Sequence, residues 1–218
     1  MNLSPANKLI ASFIILLFIL SSCMTISYTP WVSLDVSPTT INKSVVIEKF
    51  VDESPIEDTK NPFGGFAVTN KKALTQDFNT EVTRAIAADF SANAVFSDVR
   101  LKNDSADYKI KGVIKRFSGK NRPTNGVYSL FPTLGLSIFV FYSGIPFRVS
   151  TADIEIALSI YDKNNHLIAT YNGIVKDKQR SNMYNDKTAA TLSFVNKSFS
   201  KAISDIRTQI MKDISKYQ

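Results

Sequence analysis

Residues 151–161 read TADIEIALSIY. Ile154, Ile156, Leu158 and Ile160 alternate with Glu155, Ala157 and Ser159, the period of a strand with one face in a core and one in water. Asp162-Lys163-Asn164-Asn165 follows as a turn, and residues 166–175 return as the partner strand. Residues 106–119 give another long strand. Tyr108, Ile110 and Ile114 point one way; Lys109, Lys111, Val113, Lys115 and Phe117 point the other. A sheet with one covered and one wetted face has this pattern. Residues 44–50 (SVVIEKF) are β-branched and alternate, and residues 95–101 form a short strand.

Two helices complete the set. Leu74, Phe78, Val82, Ile86 and Phe90 recur every four residues with Ala85 in the seam. That leaves Asp77, Glu81, Arg84 and Asp89 available to solvent. Ser91-Ala92-Asn93 ends this helix. Residues 187–217 are the second, striped by Leu192, Val195, Phe199, Ala202, Ile206, Ile210, Ile214 and Tyr217. Residues 51–71 are a loop punctuated by Pro55, Pro62, Gly64 and Gly65. The chain contains no internal repeat. The expected fold is α+β, an α/β sandwich: a single mixed or antiparallel sheet of about five strands with two helices on one face.

The chain has 218 residues, 26 basic and 19 acidic, with 44% hydrophobic and 21% charged residues. That composition suits one globular domain and excludes collagen-like, disulfide-scaffold and disordered classes. The amino terminus reads MNLSPANKLIASFIILLFILSSC. Lys8 is its only charge, and the apolar run over residues 9–20 has the length of a signal-peptide core. Twelve such residues make roughly 18 Å of helix, short of a roughly 30 Å hydrocarbon layer.

Small residues then lead to the chain's only cysteine. Leu20-Ser21-Ser22-Cys23 resembles a bacterial lipobox, which implies lipidation of Cys23 and cleavage before it. The alternative is an uncleaved signal anchor with an incidental cysteine. The expected organisation is a signal peptide over 1–22, a lipidated Ser/Thr/Pro-rich tether over 23–43, and one domain over 44–218. Within the tether, residues 31–36 are a candidate short strand. A single cysteine permits no internal disulfide, so the domain is held by its core. Loss of Lys8 leaves 25 basic and 19 acidic side chains, formally +6. Met24 follows the cysteine; by resemblance to enterobacterial sorting rules, this implies the outer membrane.

Residues 123–147 (PTNGVYSLFPTLGLSIFVFYSGIPF) carry no charge. Pro132, Pro146, Gly126, Gly135 and Gly144 argue against a transmembrane helix. The segment has three expected placements: buried over the core, docked on lipid, or in an interface with a partner or a second copy. Its candidate contact residues are Phe131, Leu134, Leu136, Ile138, Phe139, Val140 and Phe141. A run of cations precedes it: Lys109, Lys111, Lys115, Arg116, Lys120 and Arg122. Of these, Lys109, Lys111, Lys115 and Arg116 join the candidate contact set. Such a patch suits an anionic membrane surface; the alternative is a solvated strand face bearing lysines.

Catalytic, metal and cofactor sites are not expected. His166 is the only histidine and falls at a turn. No Cys/His metal spacing and no Ser/His/Asp set exists. Asn61-Pro62-Phe63-Gly64-Gly65-Phe66 lacks the lysine of a phosphate loop. Asp52, Glu53, Glu57 and Asp58 form an acidic loop, better read as solvated than as a cation site. Export and the absence of a recognition motif argue against nucleic acid.

Softer patterns extend over roughly residues 44–215. They are Phe50-Val51-Asp52, Ala106-Asp107-Tyr108-Lys109-Ile110-Lys111-Gly112, Leu134-Gly135-Leu136 with Gly144-Ile145-Pro146, residues 156–162, and Met183-Tyr184-Asn185. Together they resemble bacterial outer-envelope lipoproteins whose α/β domain is similar to the curli secretion channel lipoprotein and to the amino-terminal domain of the Tol-Pal translocation protein. The resemblance implies no catalytic residues. The expected function is a non-enzymatic interaction or assembly module on the outer membrane, facing the periplasm. It would be held to the bilayer through acylated Cys23, with an envelope protein or a second copy as partner. The alternatives are an accessory or channel-type subunit of a transport or secretion system and, more remotely, a periplasmic hydrolase.

Overall fold

The computed structural model describes residues 34, 39–55, 77–101, 105–124, 146, 148–182 and 190–217. Its elements are β1 (Ile41–Ile47), β2 (Val51–Asp52), α1 (Phe78–Ala92), β3 (Phe96–Arg100), β4 (Tyr108–Pro123), β5 (Arg148–Asp162), β6 (Leu167–Ser181) and α2 (Ala190–Lys212), closed by a 3-10 turn at Ile214–Tyr217. The strands form one six-stranded mixed sheet in the order β3-β1-β4-β5-β6, with β2 extending the β1 side of β4. β3, β1 and β4 are parallel, and β4, β5 and β6 are antiparallel. The expected α+β architecture is therefore present, with both helices on one sheet face.

That face owes its shape to the alternation in β5. Ile154, Ile156, Leu158 and Ile160 are all fully buried. Phe117 of β4 sits between the helices, edge-on to Phe78 of α1 at 4.7 Å and to Phe199 of α2 at 6.0 Å. Two glycines set how closely the layers approach. A Cβ on Gly112 would stand 2.0 Å from the Phe50 ring, and one on Gly173 would stand 2.4 Å from the Ala202 carbonyl oxygen of α2. Each fully buried large apolar side chain contributes about 1.5–3 kcal/mol from burial.

Phe117 corrects the expected strand faces. Strict alternation puts it beside the lysines, but the pairing of β4 with β5 shifts between Ile114 and Arg116. The extra residue, Lys115, turns Phe117 inward, because a one-residue slip moves every later side chain to the other face.

The start of the sheet is fastened by side chains. The Ser44 amide and hydroxyl both donate to Asp107 Oδ2 at 2.9 Å, and the Asp107 amide donates back to Ser44 Oγ at 3.0 Å. These bonds from Ser44 hold the Asp107 carboxyl below its ordinary range. They tie β1 to β4 at the register Val45 opposite Tyr108. Leu101 and Asp107 stand on opposite sides of β1, and Val46 is buried on the face away from the helices.

α1 begins at Asp77, whose Oδ1 accepts from the Asn79 amide and whose Oδ2 accepts from Thr80 Oγ1 and Lys49. Lys49, ahead of Thr80, holds its carboxyl low. Asn93 caps the other end, as the sequence predicts, and Ala94 follows with φ 50°. That left-handed position is usually glycine after a helix, since Cβ crowds the carbonyl there. Ala94→Gly is therefore expected to raise the urea midpoint, by about 0.5–1 kcal/mol of stability.

Several bounds differ from expectation. β1 starts at Ile41, inside the segment assigned to the tether, and ends at Ile47. β4 runs on to Pro123, β5 starts at Arg148, and β6 continues to Ser181. α2 stops at Lys212; Ile214 and Tyr217 belong to the 3-10 turn that folds back on the sheet. The candidate strand at 31–36, apart from exposed Leu34, and Leu74 of the expected first helix lie outside the described residues.

Candidate interaction surface

The other face of β4, β5 and β6 is partly exposed among the described residues. The expected contact cations lie on it, but most are engaged by their neighbours. Lys109 Nζ is 3.5 Å from Glu48 and 3.4 Å from Asn165 Oδ1. Lys111 stands over the Tyr161 ring at 5.1 Å. Lys115 reaches Glu155 at 3.6 Å, and Arg116 reaches Asp153 at 2.6 Å. These pairs are partly exposed and add little stability each. Their effect is on the field: Glu48, just after β1, and acids of β5 offset the run that looks unopposed in sequence.

Cations with no ion-pair partner among the described residues lie farther along the same face. Lys120 of β4 faces Thr151 of β5, which faces Lys178 of β6. Lys176 is opposite Asp153, and Arg180 is opposite Val149. Lys120, Lys176, Lys178 and Arg180 have no ion-pair partner among the described residues. The three on β6 sit at alternate positions, continuing the line of exposed Ile174. Ending the returning strand at Val175 hides this row. The period of two in Ile174, Lys176, Lys178 and Arg180 is the signal that shows it. The side chain of Arg122 lies outside the described residues.

Cys23 also lies outside the described residues, as do Phe131, Leu134, Leu136, Ile138, Phe139, Val140 and Phe141. The ends of the uncharged connection are nonetheless placed. β4 and β5 pair to the last residue, Pro123 with Arg148, and Thr124 Oγ1 donates to the Pro146 carbonyl at 3.2 Å. The connection thus leaves and re-enters at one end of the hairpin. β1 pairs with the opposite end of β4, at Tyr108. The 16 residues of β4 span about 50 Å at strand rise.

The remaining sequence candidates have local roles. His166 is exposed in the turn after β5: its amide donates to Asp162 Oδ1 at 2.8 Å and its ring Nδ1 is 3.2 Å from Oδ2. The His166 amide is the main cause that holds the Asp162 carboxyl low. Asp52 Oδ1 accepts from the amide and hydroxyl of Ser54. Glu57, Asp58 and the 61–66 loop lie outside the described residues. Among the described residues there is no group of three or more His, Cys, Asp or Glu placed to hold a metal ion. Among them, too, no helix is long and apolar enough to cross a membrane, which leaves strands unaddressed.

Two buried polar groups were not expected. Asp89, assigned to solvent by its place on α1, is buried and meets the equally buried Arg207 of α2 at 2.8 Å. The Asn93 side-chain Nδ2 donates to Asp89 Oδ1 at 3.2 Å. Nothing within either helix reveals this pair, since the residues are 118 apart in sequence.

No family model and no curated protein matches the chain. Among solved structures, protein XCC0632 from Xanthomonas campestris, of the family DUF330, is similar with a TM-score of 0.50 at 12% identity, over 86% of this chain and 99% of that one. A minor lipoprotein from Acinetobacter baumannii gives 0.35 at 13% identity, over 81% and 93%. The PelC dodecamer from Paraburkholderia phytofirmans gives 0.33 at 14%, over 80% and 97%. At these identities the first likeness establishes a shared fold.

Proposed function

We propose that the chain is a bacterial envelope lipoprotein, anchored through acylated Cys23 in the outer membrane and acting there as a non-enzymatic interaction or assembly module. The observation that carries this is Leu20-Ser21-Ser22-Cys23, with the chain's only cysteine at the modified position. Acyl chains contribute about 0.8 kcal/mol per buried methylene, so a multiply acylated cysteine holds far more firmly than one chain. The fold suits such a role. Its single histidine is exposed at a turn, and the sheet face away from the helices carries exposed cations on β6 with no ion-pair partner among the described residues.

The uncharged connection at the end of the β4–β5 hairpin is the second contact region, through Phe131, Leu134, Leu136, Ile138, Phe139, Val140 and Phe141. Its placement at one hairpin end also favours the second reading, a subunit of a transport or secretion assembly in which that end meets lipid or neighbouring subunits. A particle of several copies in detergent would support that second reading; a monomer would count against it.

Cys23→Ser is expected to abolish processing and leave the chain with its leader attached. Intact mass spectrometry of the wild-type chain should show cleavage before Cys23 and a lipid adduct on it. A free thiol at Cys23, or wild-type protein recovered from the cytosol, would overturn the proposal.

A further inference from the structure

β6 is an edge strand of 15 residues, and among the described residues its outer edge is closed along only part of its length. At Asn172 the side chain of Gln209 takes up both outward backbone groups: Nε2 donates to the Asn172 carbonyl at 2.8 Å, and Oε1 accepts from the Asn172 amide at 3.4 Å. In an antiparallel strand, backbone groups that face away from the partner recur at every second residue. The register of β5 with β6 is unbroken from Ala169 to Ser181, so Ile174, Lys176, Lys178 and Arg180 present their N–H and C=O outward as Asn172 does. None of these four has a backbone partner outside the β5 ladder among the described residues, and all four side chains are exposed.

An open edge invites another strand. Its side chains decide which one. In a two-fold pairing of this edge with a second copy, centred on Lys176, Asp177 or Lys178, a cation of one copy stands opposite a cation of the other. Like charges directly opposite destabilise a strand pair. The same row of Lys176, Lys178 and Arg180 complements a strand bearing carboxylates at alternate positions.

We infer that the β6 edge from Ile174 to Arg180 is a docking site for an extended acidic segment of a partner protein, taken up by strand addition. Main-chain hydrogen bonds supply affinity in this mode, and the facing side chains supply selectivity. The inference gives the proposed interaction module a partner class, but the site is independent of the anchor.

The test uses the full chain in detergent micelles and an eight-residue probe peptide alternating glutamate and valine. Binding is read by fluorescence anisotropy, and amide exchange is followed at residues 174, 176, 178 and 180. The peptide is expected to bind and to slow exchange at these four amides. Lys178→Pro removes one outward N–H that the β5 ladder does not use, a place where an edge strand tolerates proline. It should weaken binding by about tenfold or more, the effect of blocking the backbone pairing mode. Reversing the row with Lys176→Glu, Lys178→Glu and Arg180→Glu should abolish binding of the acidic peptide and create binding of a lysine–valine one.

Absence of binding at millimolar peptide would overturn the inference. So would binding that Lys178→Pro leaves unchanged, which would mean simple charge attraction to the face. Binding of phosphatidylglycerol vesicles that is lost on charge reversal, without peptide binding, would assign the row to a membrane surface instead. The Cys23→Ser chain should bind the peptide as wild type does. Failure of the anchor and failure of the edge site are therefore read separately.

Discussion

Replacing Arg207 with methionine is expected to destabilise the fold by about 3–5 kcal/mol, because it removes the guanidinium that the buried Asp89 carboxylate meets. Asp89 and Arg207 are each about 95% shielded, and the 2.8 Å bond between them joins α1 to α2. The Asn93 side-chain amide supports Asp89 from its own helix end, and Ser204 Oγ lies 3.4 Å from Arg207 Nη2. Asp89→Leu should cost a similar amount by taking the carboxylate away from the buried guanidinium. The double variant Asp89→Leu with Arg207→Met is expected to recover most of the loss, since two apolar groups of similar volume need no partner. Urea unfolding of the three variants checks this. If the two single losses simply add in the double variant, the bond contributes nothing to the helix packing.

The second large effect is expected at the end of the chain. Tyr217 closes the 3-10 turn and is 1% exposed. Its ring is edge-on to Phe96 at 6.2 Å and to Tyr108 at 5.5 Å, and its hydroxyl lies 2.7 Å from that of Tyr171. Tyr171 also donates to Asp213 at 3.2 Å. Tyr217→Ala is expected to cost about 3–5 kcal/mol, as for other buried aromatic truncations. Tyr217→Phe keeps the packing and should cost about 0.5–1.5 kcal/mol, the net worth of one hydrogen bond.

The same cluster sets an alkaline limit. Burial first, then the bond to Tyr171, pushes the Tyr217 phenol well above its ordinary range; burial is also the largest cause that raises Tyr171. A raised value means that the folded state keeps its proton where the unfolded chain gives it up. Stability from these phenols is thus complete below about pH 10 and lost as pH rises beyond it. Tyr217→Phe should flatten that alkaline decline in a pH series of thermal melts; an unchanged decline would remove Tyr217 as its source.

The fold was largely legible because its signals are local. Ile154 to Ile160 and Phe78 to Phe90 carry their periods within a few residues, and burial followed both. Phe117 was misplaced because a bulge is an event in strand pairing and leaves no mark on the alternation upstream of it. The strands run past Val175 and Gly119 although the residues beyond them are charged or polar, because a partly exposed face tolerates charge. The contact surface was the least legible part. Whether a lysine is opposed depends on the strand beside it: Lys115 meets Glu155 and Arg116 meets Asp153 across a ladder.

By itself the sequence determined the element types, the two-helix, one-sheet class, and the lipobox-like cysteine on which the proposed anchor rests. These depend on periodicity or on a short contiguous motif, which need no neighbours. Tertiary structure alone decided which cations are paired, which carboxylate is buried and where Gln209 closes the sheet edge. Those outcomes come from cross-strand and interhelical contacts, whose energies fall off within a few ångströms in space, whatever the distance along the chain.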